Sequence, residues 1–149
     1  MENDSRILTI LFMNIHGQTK LPTIQQLQIQ DFLKYNKIDI LHLQESDISE
    51  KNIFECNFIS SSFNIITNNS ENKYGTASLI RSDLNFENVR CDTAGRGIVF
   101  NIGNISFGNF HLHSGTDGLS RSNRENFCAE TIPNLLTVSN QDVWEEISI

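Results

Sequence analysis

The stretch Ile38-Asp39-Ile40-Leu41-His42-Leu43-Gln44-Glu45-Ser46 decides the architecture. Residues 38–44 form an apolar run of strand length, and it stops at a carboxylate, Glu45. Upstream, Leu21-Pro22-Thr23 opens a segment in which Ile24, Leu27, Phe32 and Leu33 recur at roughly helical spacing, with Gln and Lys on the other face. Thr23 suits the cap, and the helix is expected to end near Tyr35-Asn36-Lys37. Further back, Ile7 to Met13 is almost continuously apolar, which predicts a strand buried on both faces. It ends at Asn14-Ile15-His16-Gly17. Strand, helix and strand joined by a connection of this length predict a right-handed crossover and two parallel strands.

Downstream the pattern changes. Phe58-Ile59, Phe63 to Thr67, Gly75 to Arg81, Gly97 to Ile102 and Ile105 to Leu112 are short β-like runs separated by Asn, Ser and Gly clusters. They predict an antiparallel meander, with Gly103-Asn104 as a hairpin turn. Ser120 to Val138 reads as a helix with Phe127, Ala129, Ile132, Leu135 and Leu136 on one face, kinked or restarted at Pro133. There is no internal repeat and no interdomain linker, so residues 1–149 are expected to form one domain, with 140–149 an atypical tail.

Composition narrows the function classes. The chain has 149 residues and a formal charge of -7, which disfavours tight non-specific binding to a polyanion. Screening beyond ~8 Å at physiological salt still allows a local basic rim to dock phosphates. Arg81, Arg96, Arg121 and Arg124 are the candidates, with Arg96 in a Gly-Arg-Gly triplet at a strand start. No apolar stretch approaches the ~18 residues of a membrane span, and the acidic N-terminus is not a secretory signal. Cys56, Cys91 and Cys128 are odd in number and fit no zinc spacing, so reduced thiols in an intracellular protein are expected. Ser114 lacks the strand–elbow–helix setting of a hydrolase nucleophile.

Two strands therefore each carry a polar residue at the C-terminal end, Asn14 and Glu45, where ligands collect in α/β sheets. A carboxylate there suits a hard cation such as Mg²⁺, which takes one or two carboxylates and completes its shell with water and substrate phosphate. A carboxamide beside it can donate to a phosphate oxygen. The alternative is that both residues cap strands and meet water.

The surrounding residues resemble a family. A hydrophobic strand ending in Asn14, a helix, then Asp39-Ile-Leu-His-Leu-Gln44-Glu45-Ser46 is similar to the start of the endonuclease/exonuclease/phosphatase superfamily, which includes exonuclease III-like and DNase I-like enzymes. The segments Tyr74 to Leu84, Gly95 to Gly115 and Ser120 to Leu136 follow in the same order, and the set most resembles the endonuclease domain of LINE-type non-LTR retrotransposons. The resemblance runs from about Arg6 to Leu136. It implies an α/β (α+β) fold of two packed mixed β-sheets flanked by helices, a four-layer α/β/β/α sandwich. It implies Mg²⁺- (or Mn²⁺-) dependent hydrolysis of a phosphodiester in DNA, with Glu45 as metal ligand and Asn14 at the phosphate. A downstream reverse transcriptase, nuclear action and no membrane go with that reading.

The sequence departs from the family in two places. Where the family has a Tyr and a Pro, this chain has His111 and His113. His111 can donate a hydrogen bond and, as imidazolium, favour an anionic phosphate. The two histidines also read as a metal pair on one strand face, or as surface residues. Secondly, the family's Gly-Asp-Phe/Trp-Asn segment and its Asp-His pair are missing from residues 1–149. By resemblance the chain holds the first half to two-thirds of such a domain, with an incomplete second sheet and weak or no activity of its own. Two other readings stay open: a non-catalytic remnant of the fold, and a superfamily phosphodiesterase or phosphatase acting on RNA, a lipid headgroup or an inositol phosphate.

Overall fold

The computed structural model describes residues 7–15, 23–46, 62–70 and 75–137. The expected run Phe58-Ile59, the thiol of Cys56 and the 140–149 tail lie outside the described residues. The strands are β1 (Ile10–Asn14), β2 (Ile40–Ser46), β3 (Phe63–Asn68), β4 (Gly75–Arg81), β5 (Glu87–Cys91), β6 (Gly97–Ile102) and β7 (Ile105–Phe110). Helix α1 spans Thr23–Tyr35; α2 (Gly118–Asn126), a π-helical turn (Phe127–Thr131) and α3 (Ile132–Leu136) follow β7. One sheet has the order β1-β2-β4-β3, the other β5-β6-β7. β1 and β2 are parallel and the remaining pairs antiparallel, so the four-stranded sheet is mixed. The two sheets pack face to face, with α1 outside one and the α2–α3 segment outside the other, which is the four-layer α/β/β/α sandwich.

Alternation along β2 builds both cores. Leu41 and Leu43 point to α1 and pack with Leu33, Phe63 and Leu79. Ile40 points the other way, into the gap between the sheets, with Ile80, Leu84, Ile98 and Phe100. Phe100 stacks on Phe107 at 5.7 Å and meets Phe86 edge-on at 6.1 Å. Asn109 crosses the gap from β7, donating from Nδ2 to the carbonyls of Leu43 (3.1 Å) and Ala77 (3.0 Å).

Several expectations need correction. β1 is not buried on both faces. It is an edge strand, and its register with β2 turns Ile10 and Phe12 toward the inter-sheet gap, where they remain 37% and 56% exposed. The second sheet reaches only as far as β7 over β2 and β4, so no described strand covers them. The doubly buried strands are β2 and β4. On α1, Leu33 is buried while Leu27 and Phe32 are half exposed; Ile29 completes the packed face. β5 is an additional strand: Glu-Asn-Val-Arg-Cys alternates exposed and half-buried residues on a sheet edge and carries no apolar run. The final helix buries Phe127 and half-buries Ile132 and Leu135, whereas Ala129 and Leu136 are exposed. Pro133 is accommodated by the widened π turn before it, which loosens the ladder where proline has no N–H to give.

Helix α1 closes in a Schellman motif: Ile38 N–H bonds to Leu33 O (3.0 Å) and Lys37 N–H to Lys34 O (3.2 Å). Lys37 occupies the left-handed position, φ 52°, where glycine is usual. Among the described residues no helix is long and apolar enough to cross a membrane.

Candidate active site

Because β1 and β2 run in parallel, their C-terminal ends coincide: Asn14 is paired in register with Gln44, and Ile15 N–H extends the ladder to Gln44 O (3.1 Å). Simple alternation would send Glu45 to the α1 side with Leu41 and Leu43. The register shifts between Gln44 and Ser46, and Glu45 adopts φ 51°, a left-handed conformation costly for a residue with a Cβ. The bulge re-aims the side chain. Glu45 Oε1 reaches 3.6 Å from His111 Nε2, which is carried by the other sheet.

The second sheet is fixed against this end by hydrogen bonds. Gln44 Nε2 donates to Phe110 O (2.8 Å). His111 N–H donates to Arg96 O (2.8 Å), and Arg96 Nη1 returns a bond to His111 O (3.0 Å). Arg96 leaves a tight turn built on one carboxylate: Asp92 Oδ1 accepts from the N–H groups of Arg96 (2.8 Å) and Gly97 (2.9 Å) and from Asn68 Nδ2 (2.9 Å). Gly95, φ 74°, makes that turn possible.

The structure thus gathers Asn14, Glu45, His111 and Arg96 at one end of the sandwich. His111 sits between a cation and a carboxylate. Burial pushes its pKa below the ordinary value, the Arg96 guanidinium pushes further, and Glu45 opposes both more weakly. These influences together favour the neutral imidazole. Arg96 carries the positive charge. His111 and His113 have different surroundings. His113 packs against Phe127, with ring centroids 6.2 Å apart, and no group of three His, Cys, Asp or Glu side chains converges among the described residues.

The other arginines separate. Arg81 is at the opposite end of β4, bonded to Asp39 and Asp83, and so is not part of a rim around this site. Arg121 pairs with Glu125 on an exposed helix face (3.1 Å). Arg124 clamps the preceding loop through the carbonyls of His113 (2.9 Å) and Gly115 (2.7 Å). The sequence marks Gln44 only as part of the family-like segment and does not mark Asn68, Asp92 or Asn109. Their roles depend on partners 24 to 66 residues away or on turn geometry, and no local spacing marks them.

The oxygen donors fit a hard cation. One carboxylate, Glu45, and one carboxamide, Asn14, stand at adjacent strand ends, which leaves room for the waters and phosphate oxygens that Mg²⁺ retains. The left-handed backbone at Glu45 also has a measurable cost. Glu45→Gly is expected to raise the unfolding free energy by about 1 kcal/mol while removing the carboxylate. Urea unfolding at pH 7 checks it, and an unchanged or lower midpoint would mean the bulge stores no strain.

No protein-family model and no curated protein matches the sequence. Solved structures do share the fold. An AP endonuclease from Archaeoglobus fulgidus superposes with a TM-score of 0.65 at 21% identity, over 89% of this chain and 53% of that one. The AP endonuclease LMAP from Leishmania major gives 0.62 at 14% identity, over 87% and 46%. The 3′ phosphatase NExo from Neisseria, bound to product DNA hairpin, gives 0.61 at 18% identity, over 85% and 51%. The chain spans about half the length of these structures. At such identities the likeness establishes the fold, which this chain shares with these AP endonuclease and 3′ phosphatase structures.

Proposed function

We propose that this chain carries the phosphate- and metal-binding part of a divalent-metal-dependent phosphodiesterase acting on DNA, derived from the DNA-nicking endonuclease domain of a LINE-type retrotransposon. The observation that carries the proposal is the bulge at Glu45, which turns a carboxylate away from the α1 core to the strand ends where Asn14 stands. A bulge that re-aims a single charged side chain at strain cost is characteristic of a functional position. Glu45 would hold Mg²⁺ or Mn²⁺, which polarises the phosphoryl oxygen and neutralises charge on the departing oxygen. Asn14 donates from its carboxamide to a phosphate oxygen. Arg96 places a fixed cation beside the backbone of the nucleic acid. His111, neutral, donates a hydrogen bond where the resemblance would place a tyrosine.

A second reading is a non-catalytic remnant of the fold with weak metal or phosphate binding. A phosphodiesterase or phosphatase acting on RNA, a lipid headgroup or an inositol phosphate is the third. Nuclear action and a reverse transcriptase partner belong to the retrotransposon reading alone.

Nicking of supercoiled plasmid by the purified chain, with Mg²⁺ and with EDTA, separates these readings. Slow nicking that needs Mg²⁺ and disappears in both Glu45→Ala and Asn14→Ala supports the enzyme. Folded, soluble protein that leaves the plasmid intact supports the remnant.

A further inference from the structure

At the opposite end of the sheet from Glu45, a cavity of about 410 Å³ opens between the end of α1, the start of β3 and the end of β4. Its floor is apolar: Leu33, Ile38 and Phe63, all under 10% exposed. Its rim carries three cations, Lys34, Lys37 and Arg81. They are not equivalent. Arg81 is committed to Asp39 and Asp83. Among the described residues, the ammonium groups of Lys34 and Lys37 form no ion pair. In a chain of net charge -7, an apolar hollow beneath two ammonium groups that no described carboxylate pairs is locally positive.

The backbone adds an independent observation. Lys37 holds the left-handed position of the Schellman motif, φ 52°, where glycine would close the helix at lower cost. A lysine kept at a glycine position places its charge at the rim of the hollow at the expense of stability, as strained residues at ligand clamps do.

We propose that this cavity binds a medium-chain fatty carboxylate, its tail against Leu33, Ile38 and Phe63 and its head between Lys34 and Lys37. The volume is that of a small-molecule site. The apolar part of the lining is Leu33, Ile38 and Phe63, with the neutral polar groups of Gln30 and Ser62 beside it. The one group suited to bidentate phosphate recognition, Arg81, is already taken by carboxylates, which leaves two point charges suited to a carboxylate. The site is separate from the Asn14–Glu45 end and does not rest on the phosphodiesterase reading.

The test is a ¹⁵N-HSQC titration of the whole chain with decanoate, and in parallel with decanol and with inorganic phosphate. Saturable decanoate shifts confined to amides around residues 33–38, 62–63 and 81, with decanol about 10-fold weaker and phosphate inactive, are expected. The variant Lys34→Gln/Lys37→Gln should lose about 10-fold in decanoate affinity, as for two partly exposed charge contacts. Lys37→Gly should weaken decanoate binding while raising Tm by about 2–4 °C, a pairing that a merely structural lysine would not give. Absence of saturable shifts, equal binding of decanol, phosphate displacing decanoate, or affinity untouched in the double variant would each overturn the proposal.

Discussion

Arg81→Met will lower the unfolding free energy by about 3–5 kcal/mol. Asp39, at the entry to β2, is 4% exposed, and its carboxylate has two partners of consequence: Thr9 N–H at 2.8 Å on Oδ2 and the Arg81 guanidinium on Oδ1. Arg81 N–H also bonds to Asp39 O at 2.9 Å, so the pair holds the start of β2 to the end of β4. The second partner of Arg81, Asp83, is exposed and contributes little. Removing the guanidinium leaves a desolvated carboxylate without the cation that pairs with Oδ1, which costs far more than the pair is worth intact. Against a typical total of about 5–15 kcal/mol, that loss is severe. The double variant Arg81→Met/Asp39→Asn should recover most of it, because the amide keeps the Thr9 bond and buries no charge. Urea unfolding of the two variants decides: a single-variant cost under about 1 kcal/mol would mean that Asp39 is not desolvated.

Arg81 also marks where sequence reading runs out. From the letters alone it is one arginine among four near a phosphate site. Only the antiparallel register of β2 with β4, Ile40 opposite Ile80, carries it to the far end of the sheet. What was legible was periodic. The extent of α1, the runs of β2, β4 and β6, and the parallel pairing of β1 with β2 all appear as expected, because each is set by local pattern or by connection length. The burial of β1 was not legible, since Ile7 to Met13 says nothing of which strand lies above it. β5 was missed because an edge strand needs no apolar run.

The candidate site divides in the same way. Asn14 and Glu45 were readable as polar residues ending apolar strands. The bulge that lets Glu45 serve the site is a one-residue slip, and His-Leu-Gln-Glu-Ser encodes it no more clearly than a regular strand would. The pKa of His111 depends on Arg96, fifteen residues upstream, and on burial beneath the opposite sheet. Asn109, fully buried, ties the sheets together through two backbone carbonyls that no side-chain pattern announces.

His42 shows how such a concealed polar contact becomes measurable. It lies in the gap between the sheets, 1% exposed, with Phe12 at 4.8 Å and Phe100 at 6.0 Å from its ring and with Nδ1 sharing a 2.8 Å hydrogen bond with Ser78 Oγ. Burial lowers its pKa from 6.5 to about 4. The folded protein therefore keeps His42 neutral at pH values where the unfolded chain protonates it. Below pH 6.5 the unfolded state binds more protons, so stability falls with pH and the loss levels off near pH 4. A gap of about 2.5 pH units corresponds to about 3 kcal/mol. His111, also depressed, acts in the same direction. Urea unfolding across pH 7.5 to 4 should show this decline above the range where carboxylates titrate. His42→Gln, which retains a hydrogen-bonding side chain and cannot titrate, should remove most of it. If the variant kept the full pH dependence, the proton would have to be taken up elsewhere, and the layer between the sheets would be wetter than the packing of His42 against Phe12 and Phe100 indicates.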